Sequence, residues 1–327
     1  MPLVPESTYR TPLFFRSAHM QTIYPTLFRK VDIITQRRER IETDDKDFLD
    51  LDWFDCAKSG KLLILLHGLE GSAKKTYMQG MARVFAAAGW NVLSANFRGC
   101  SGEQNRQIRT YHSGATEELA RILDHVFKNY HFNSITLGGF SLGGNLLLKY
   151  LGDCAGNLNT KIQAAFAISV PCDLASSSIK LEEFKNQVYM ERFLRTLRQK
   201  IRRKMELFPG QLEDHGLDKM KTFREFDGAY TAPIHGYKDA EDYWTQCSSK
   251  PVLPNIRIPT LLINAANDPF LPKECYPIRQ AQRNEHFFLE IPFHGGHGGF
   301  VTFGQKGIYW SEKRALEFAE NQFDALV

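Results

Sequence analysis

The stretch Gly139-Phe140-Ser141-Leu142-Gly143 sets a serine between two glycines. An apolar, β-rich run, Ser134-Ile135-Thr136-Leu137, precedes it, and Gly144-Asn145-Leu146-Leu147-Leu148-Lys149-Tyr150-Leu151, which reads as a helix, follows it. Strand, sharp turn, helix is the setting in which a G-x-S-x-G serine is held out as a nucleophile. Gly139 and Gly143 carry no Cβ, so strand and helix can approach closely there. A serine hydroxyl alone is a poor nucleophile; it needs an adjacent base, and the base needs an orienting acid. After such an elbow the partners are expected in the order acid, then histidine. Asp268 stands in Ala266-Asn267-Asp268-Pro269-Phe270, and His297 in His294-Gly295-Gly296-His297-Gly298-Gly299. Asp173 is a rival acid and His294 a rival base. Asp268 is preferred for its place after the penultimate strand, His297 for the glycines that flank it. Two backbone N–H groups are also needed to hold a developing oxyanion. Leu142, next to the serine, supplies one, and Leu69 in His67-Gly68-Leu69-Glu70-Gly71-Ser72 the other. The His67 side chain is then structural. Arg98, in Asn96-Phe97-Arg98-Gly99, reads as a brace between loops.

These residues need a scaffold that brings distant loops to one edge. Lys61 to Leu66 is a continuous apolar run, the mark of a strand buried on both faces. Residues 90–96, 134–137, 162–170, 259–264 and 286–291 repeat that character. Met81, Val84, Phe85 and Ala88 fall at helical spacing, as do Leu119, Ile122, Leu123 and Val126. Strands alternating with helices predict a mostly parallel sheet covered on both faces. Loops at the carboxyl ends of such strands share one edge, where Ser141, Asp268 and His297 can converge. Residues 31–41 and 47–55 alternate and predict antiparallel strands with one wet face. Residues 1–30 show no clear period and predict an extended arm. Residues 173–250 break the rhythm: Leu181, Phe184, Val188, Leu194, Leu197, Ile201 and Met205 keep helical spacing beside a basic face. They predict a helical insertion, and its place between two parallel strands predicts a lid over the serine. The whole chain, 1–327, is expected to form a single domain around this sheet.

With 327 residues and 43% hydrophobic content the chain can bury a sizeable core. Its 41 Lys+Arg against 37 Asp+Glu leave +4, too mild a balance to argue for nucleic acid. A pI near 8.6 permits only weak peripheral contact with an anionic membrane surface. The six cysteines are scattered and form no C-x-x-C, which suits reduced thiols and a cytoplasmic location. His294-x-x-His297 has no third ligand close by, so no metal is expected, and no motif calls for a cofactor. No apolar stretch is long enough to span a bilayer, and residues 1–6 do not open a signal peptide.

The combination of His19-Met20-Gln21-Thr22, the 67–72 and 96–99 loops, the 139–145 elbow, Arg224-Glu225-Phe226-Asp227, Asp268-Pro269-Phe270-Leu271-Pro272 and the 295–300 loop resembles the α/β-hydrolase superfamily. Within it the chain resembles the group that holds the bacterial YheT-like esterases and the eukaryotic ABHD1/ABHD3-type hydrolases. The resemblance implies an α/β-hydrolase fold and a catalytic triad at Ser141, Asp268 and His297. The residues and this resemblance together lead to the expectation of a serine esterase, acting on small to medium-chain acyl esters. Acyl transfer to an alcohol or thiol, or a non-catalytic binding protein on the same scaffold, are the competing readings. The eukaryotic relatives carry an N-terminal membrane anchor that residues 1–30 do not resemble, so membrane-resident lipids are not the expected substrates.

Overall fold

The computed structural model describes residues 3–56, 59–304 and 307–324. Among them eight strands form one sheet: β1 (Arg37–Glu42), β2 (Phe48–Phe54), β3 (Lys61–Leu66), β4 (Asn91–Asn96), β5 (Ser134–Phe140), β6 (Ile162–Ile168), β7 (Thr260–Ile263) and β8 (Phe287–Glu290). Their order is β1-β2-β4-β3-β5-β6-β7-β8; the first two pairings are antiparallel and the rest parallel. The longer helices are α1 (Ala18–Phe28), α2 (Thr76–Ala87), α3 (Thr116–Asn129), α4 (Leu142–Cys154), α5 (Leu174–Glu182), α6 (Gln187–Leu207), α7 (Ala240–Cys247), α8 (Ile278–Arg283) and α9 (Trp310–Asp324).

β3 shows why its run is apolar throughout. Leu62, Ile64 and Leu66 pack under α3 and α4, while Leu63 and Leu65 pack under α2 and α9. Successive side chains point to opposite faces of a strand, and here both faces are covered. The α/β fold read from the sequence is the fold observed.

Three local expectations are corrected. The first is the extended arm: residues 18–28 are a helix, with Ser17 as N-cap and Pro25 inside it. Gln21 and Pro25 are the residues it buries, while Met20, Ile23, Leu27 and Phe28 face outward. An inverted helix of this kind has no apolar inner stripe for periodicity to find. The second is the wet face of β2. Asp50 and Asp52 are 1% and 2% exposed, clamped by Arg40 and Arg38 of the neighbouring edge strand at 2.7 and 2.6 Å. Removing one partner of a buried pair strands the other charge, at a cost of about 3–5 kcal/mol. The third is the single apolar stripe through Leu181, Phe184 and Val188. α5 ends at Glu182 and a 3-10 turn intervenes, so Leu181 is buried while Phe184 and Val188 are 87% and 76% exposed.

Residues 173–250 are helical for most of their length and hold their own apolar cluster, which includes Leu181, Met190, Leu194, Phe226 and Trp244. Phe270 and Leu271, from the loop after β7, join that cluster and tie it to the sheet edge.

Candidate active site

Ser141 sits at the end of β5 with φ 51° and ψ −118°, a strained conformation for a residue with a side chain. The turn is possible because its neighbours are bare. A Cβ on Gly139 would lie 2.6 Å from the Gly143 carbonyl oxygen, and one on Gly143 would meet the carbonyl of His67. Asn145 secures the first turn of α4, donating to the carbonyls of Ser113 and Cys247 and accepting from the Ser249 N–H.

The structure brings the three separated side chains together. His297 Nε2 lies 3.0 Å from Ser141 Oγ, and His297 Nδ1 lies 2.9 Å from Asp268 Oδ2. A carboxylate only accepts, so the imidazole proton belongs on Nδ1 and Nε2 presents its lone pair to the hydroxyl. Asp268 is 4% exposed, and its Oδ1 also accepts from the Phe270 N–H at 2.9 Å. The rivals are elsewhere. Asp173 caps α5 through the Ser176 N–H and faces Lys250 at 3.4 Å. His294 meets the Asn267 side chain at 3.3 Å.

The loop that carries His297 is braced from outside the sheet. Its backbone N–H donates to Thr22 Oγ1 at 2.9 Å, and the Gly298 N–H donates to Ser169 Oγ at 2.8 Å. Gln21, fully buried beside Thr22, accepts from the Val301 N–H and donates to Tyr9 Oη and the Phe15 carbonyl. This is the physical content of His19-Met20-Gln21-Thr22. The sequence marked the motif but gave no reason for it, because the contact spans 275 residues.

The loop expected to hold the oxyanion is fixed in turn. His67 is buried, and burial pushes its pKa down to about 3. Its Nε2 accepts from the Phe97 N–H, so Nδ1 carries the proton and donates to the Gly68 carbonyl at 2.8 Å. The Gly68 N–H is held by Tyr77 Oη and the Glu70 N–H by Tyr111 Oη. Between them, the Leu69 N–H takes no acceptor among the described residues. Leu142 opens α4, where an N–H has no partner within its helix. Sequence reasoning missed the clamp on Glu70. Lys200 of α6 reaches its carboxylate at 2.8 Å and Tyr111 Oη reaches it at 2.6 Å, with Glu70 at φ 53°. The helical spacing of α6 marks Lys200 only as one of several outward cations. Arg98 contacts no site residue; it pairs with Asp45, Asp47 and Glu118.

Two spaces meet at Ser141. One, about 1050 Å³ with its mouth included, runs under the helical insertion past Leu174, Leu181, Phe193, Leu197, Phe223 and Phe226. In its wall Asp227 accepts from Thr231 Oγ1 and Trp244 Nε1, and burial raises its pKa to about 6. The other is a more polar groove open toward α1, lined by Thr22, Ile23, Lys74, Lys75 and Arg192. Phe193, Phe270 and His297 border both.

A family model described as the alpha/beta hydrolase fold matches residues 61–303. This chain belongs to the α/β-hydrolase family. Within the family it is 37% identical over 292 residues to YheT of Escherichia coli (strain K12), which bears a provisional esterase name; the match covers 88% of this chain and 85% of that one. It is 31% identical over 331 residues to the human phospholipase ABHD3, covering 98% and 79%. Among solved structures this α/β hydrolase resembles the Pyrococcus furiosus esterase Pf2001, with TM-score 0.61 at 19% identity over 88% and 91% of the two chains, a likeness of fold. The likeness to YheT-type and ABHD3-type hydrolases expected from the motifs therefore holds. No helix among the described residues is long and apolar enough to cross a membrane.

Proposed function

We propose that this α/β hydrolase cleaves small to medium-chain acyl esters through an acyl-enzyme. The observation that carries the reading is the unbroken Ser141–His297–Asp268 hydrogen-bond chain at the junction of an apolar cavity and a polar groove. Ser141 Oγ attacks the ester carbonyl as His297 Nε2 takes its proton. The carbonyl oxygen turns toward the Leu69 and Leu142 N–H groups as it gains charge. Asp268 keeps the imidazole in the right tautomer and stabilises the imidazolium. Collapse releases the alcohol, protonated by His297, into the groove. Water, deprotonated by His297, then frees the acid. The acyl chain occupies the apolar cavity, and residues 173–250 serve as its lid. The esterase and phospholipase names of the relatives agree with this chemistry.

The test is direct. A fluorophosphonate should label wild-type protein and leave Ser141→Ala unlabelled. Against p-nitrophenyl esters of graded length, Ser141→Ala should lose about 10⁴- to 10⁶-fold in kcat. A variant that keeps several per cent of the rate removes Ser141 from the mechanism, and wild-type protein that hydrolyses none of the esters sinks the esterase reading.

A further inference from the structure

Several of the exposed apolar residues among the described ones lie on or beside the segments that line the open groove. Phe14 is 90% exposed and Leu13 74%; Leu27 and Phe28 on α1 are each 65% exposed. Ile23 on the same helix lines the groove itself. Ring contacts join Phe15, Tyr24, Phe28 and Phe303 into one aromatic ridge, with Phe303 57% exposed. On the opposite lip, Phe184 and Val188 stand out beside Tyr189, which stacks on His19 of α1 and donates to or accepts from its Nδ1 at 2.9 Å. Phe293, 80% exposed, packs on His294, whose partner Asn267 also donates to the Arg16 carbonyl at the start of the α1 segment. Monomeric proteins rarely leave large apolar side chains clustered in water without a purpose.

The unpaired charges that line the groove itself are cationic. Arg16, Lys30, Lys74, Lys75 and Arg192 make no ion pair with a described residue, and the last three line the groove. Of the acidic residues near Phe184 and Val188, Glu183 is paired with Lys180 and Lys185 and Glu191 with Arg198, while Glu182 makes no ion pair with a described residue. Apolar side chains at the tip with unpaired cations behind them match the surface of an anionic bilayer, where the former enter the acyl region and the latter meet phosphates.

We propose that this face is a lipid-docking surface that sets the mouth of the groove on an anionic membrane and lets esters enter Ser141 from the bilayer. The surface of a second copy fits less well, since it would bring the same unpaired cations against each other across a two-fold axis. The proposal rests on ester hydrolysis for what enters the groove, while docking itself is independent of it. It reverses the expectation that membrane-resident lipids are not substrates. It does so without a spanning helix, because the apolar residues come from three separate segments.

Flotation with phosphatidylcholine vesicles, with and without phosphatidylglycerol, tests it. Wild-type protein should float with the anionic vesicles, float less with the neutral ones, and lose binding in high salt. Phe14→Ser/Phe184→Ser/Val188→Ser should weaken vesicle binding more than about tenfold. None of the three touches either cavity, so the variant should hydrolyse p-nitrophenyl butyrate in solution at the wild-type rate. The variant should lose rate only toward an ester embedded in the vesicles. Phe184→Trp provides a reading on an otherwise intact chain: its emission should shift to the blue on anionic vesicles. Absence of flotation by wild-type protein, unchanged flotation of the triple variant, an unshifted Phe184→Trp, or a wild-type dimer that the triple variant dissociates would each overturn lipid docking. Failure of the soluble ester assay with flotation intact would overturn the hydrolase reading instead.

Discussion

His297 and His294 are three residues apart and differ in what they touch. His297 bridges Ser141 and Asp268, whereas His294 meets an asparagine. His297→Ala should fall to the Ser141→Ala level, and His294→Ala should keep most of the wild-type kcat. Steady-state kinetics on one ester decides it, and the reverse ranking would move the base to His294. Lys200 offers a subtler test. It acts on Glu70, one residue beyond the proposed oxyanion donor Leu69, from a helix on the other side of the cavity. Lys200→Met keeps the length of the side chain and removes the charge. The Leu69 amide would then drift, and displacement of a catalytic group by about 1 Å costs on the order of 10²-fold. The loss should appear in kcat with KM little changed, and Lys200→Arg should recover part of it. An equal change in both parameters would make Lys200 a binding residue and not a positioning one.

The helical insertion makes different demands on different faces. Phe193 and Leu197 of α6 line the cavity, and Phe184 and Val188 just before and within its first turn face water. Phe193→Ala and Leu197→Ala should therefore shift kcat/KM toward longer acyl chains, by about 1–3 kcal/mol per methylene accommodated. Phe184→Ala and Val188→Ala should leave the chain-length profile of soluble esters unchanged. A p-nitrophenyl ester series measures both, and a shift at Phe184 alone would contradict the cavity assignment. Elements of this kind were legible in the sequence when their pattern had one cause. All eight strands are foreshadowed there because burial on both faces, or pairing at an edge, dictates residue type directly. The elbow was legible because strand, glycines and helix are contiguous. α1 was hidden because its apolar residues face outward, and the wet face assigned to β2 was dry because arginines of another strand cover it. Asp268 and His297, which lie beside Ser141, could be singled out by chain order, but the braces at Thr22, Ser169 and Lys200 depend on contacts between distant segments, which no local pattern encodes.

Across the whole molecule, three histidines are folded into places that forbid charge. Burial holds His67 and His112 at about 3 and His235 at about 2. His112 belongs to the body and His235 to the insertion, and their rings meet at 4.2 Å. In an unfolded chain each would titrate near 6.5. The unfolded state then binds more protons than the folded one, so stability is full above about 6.5 and is lost as pH falls toward 3. Asp227 works against this. Its pKa is raised to about 6, so the fold keeps a proton there that the unfolded chain gives up above about 4. Between about 4 and 6 its share of stability grows as pH falls, and it offsets one of the three histidines. Tm should therefore decline as pH falls below 6.5, and decline more steeply below about 4, where the offset from Asp227 ends. Asp227→Asn removes the opposing group; its one oxygen can accept from Trp244 Nε1, and its amide nitrogen can donate to Thr231 Oγ1. The variant should be more stable than wild type at pH 8, where the ionised carboxylate is penalised, and lose that advantage by pH 4. Thermal melts across this range measure the effect. An Asp227→Asn curve that runs parallel to wild type at every pH would show that Asp227 keeps an ordinary carboxylate pKa and that its cavity wall is wet.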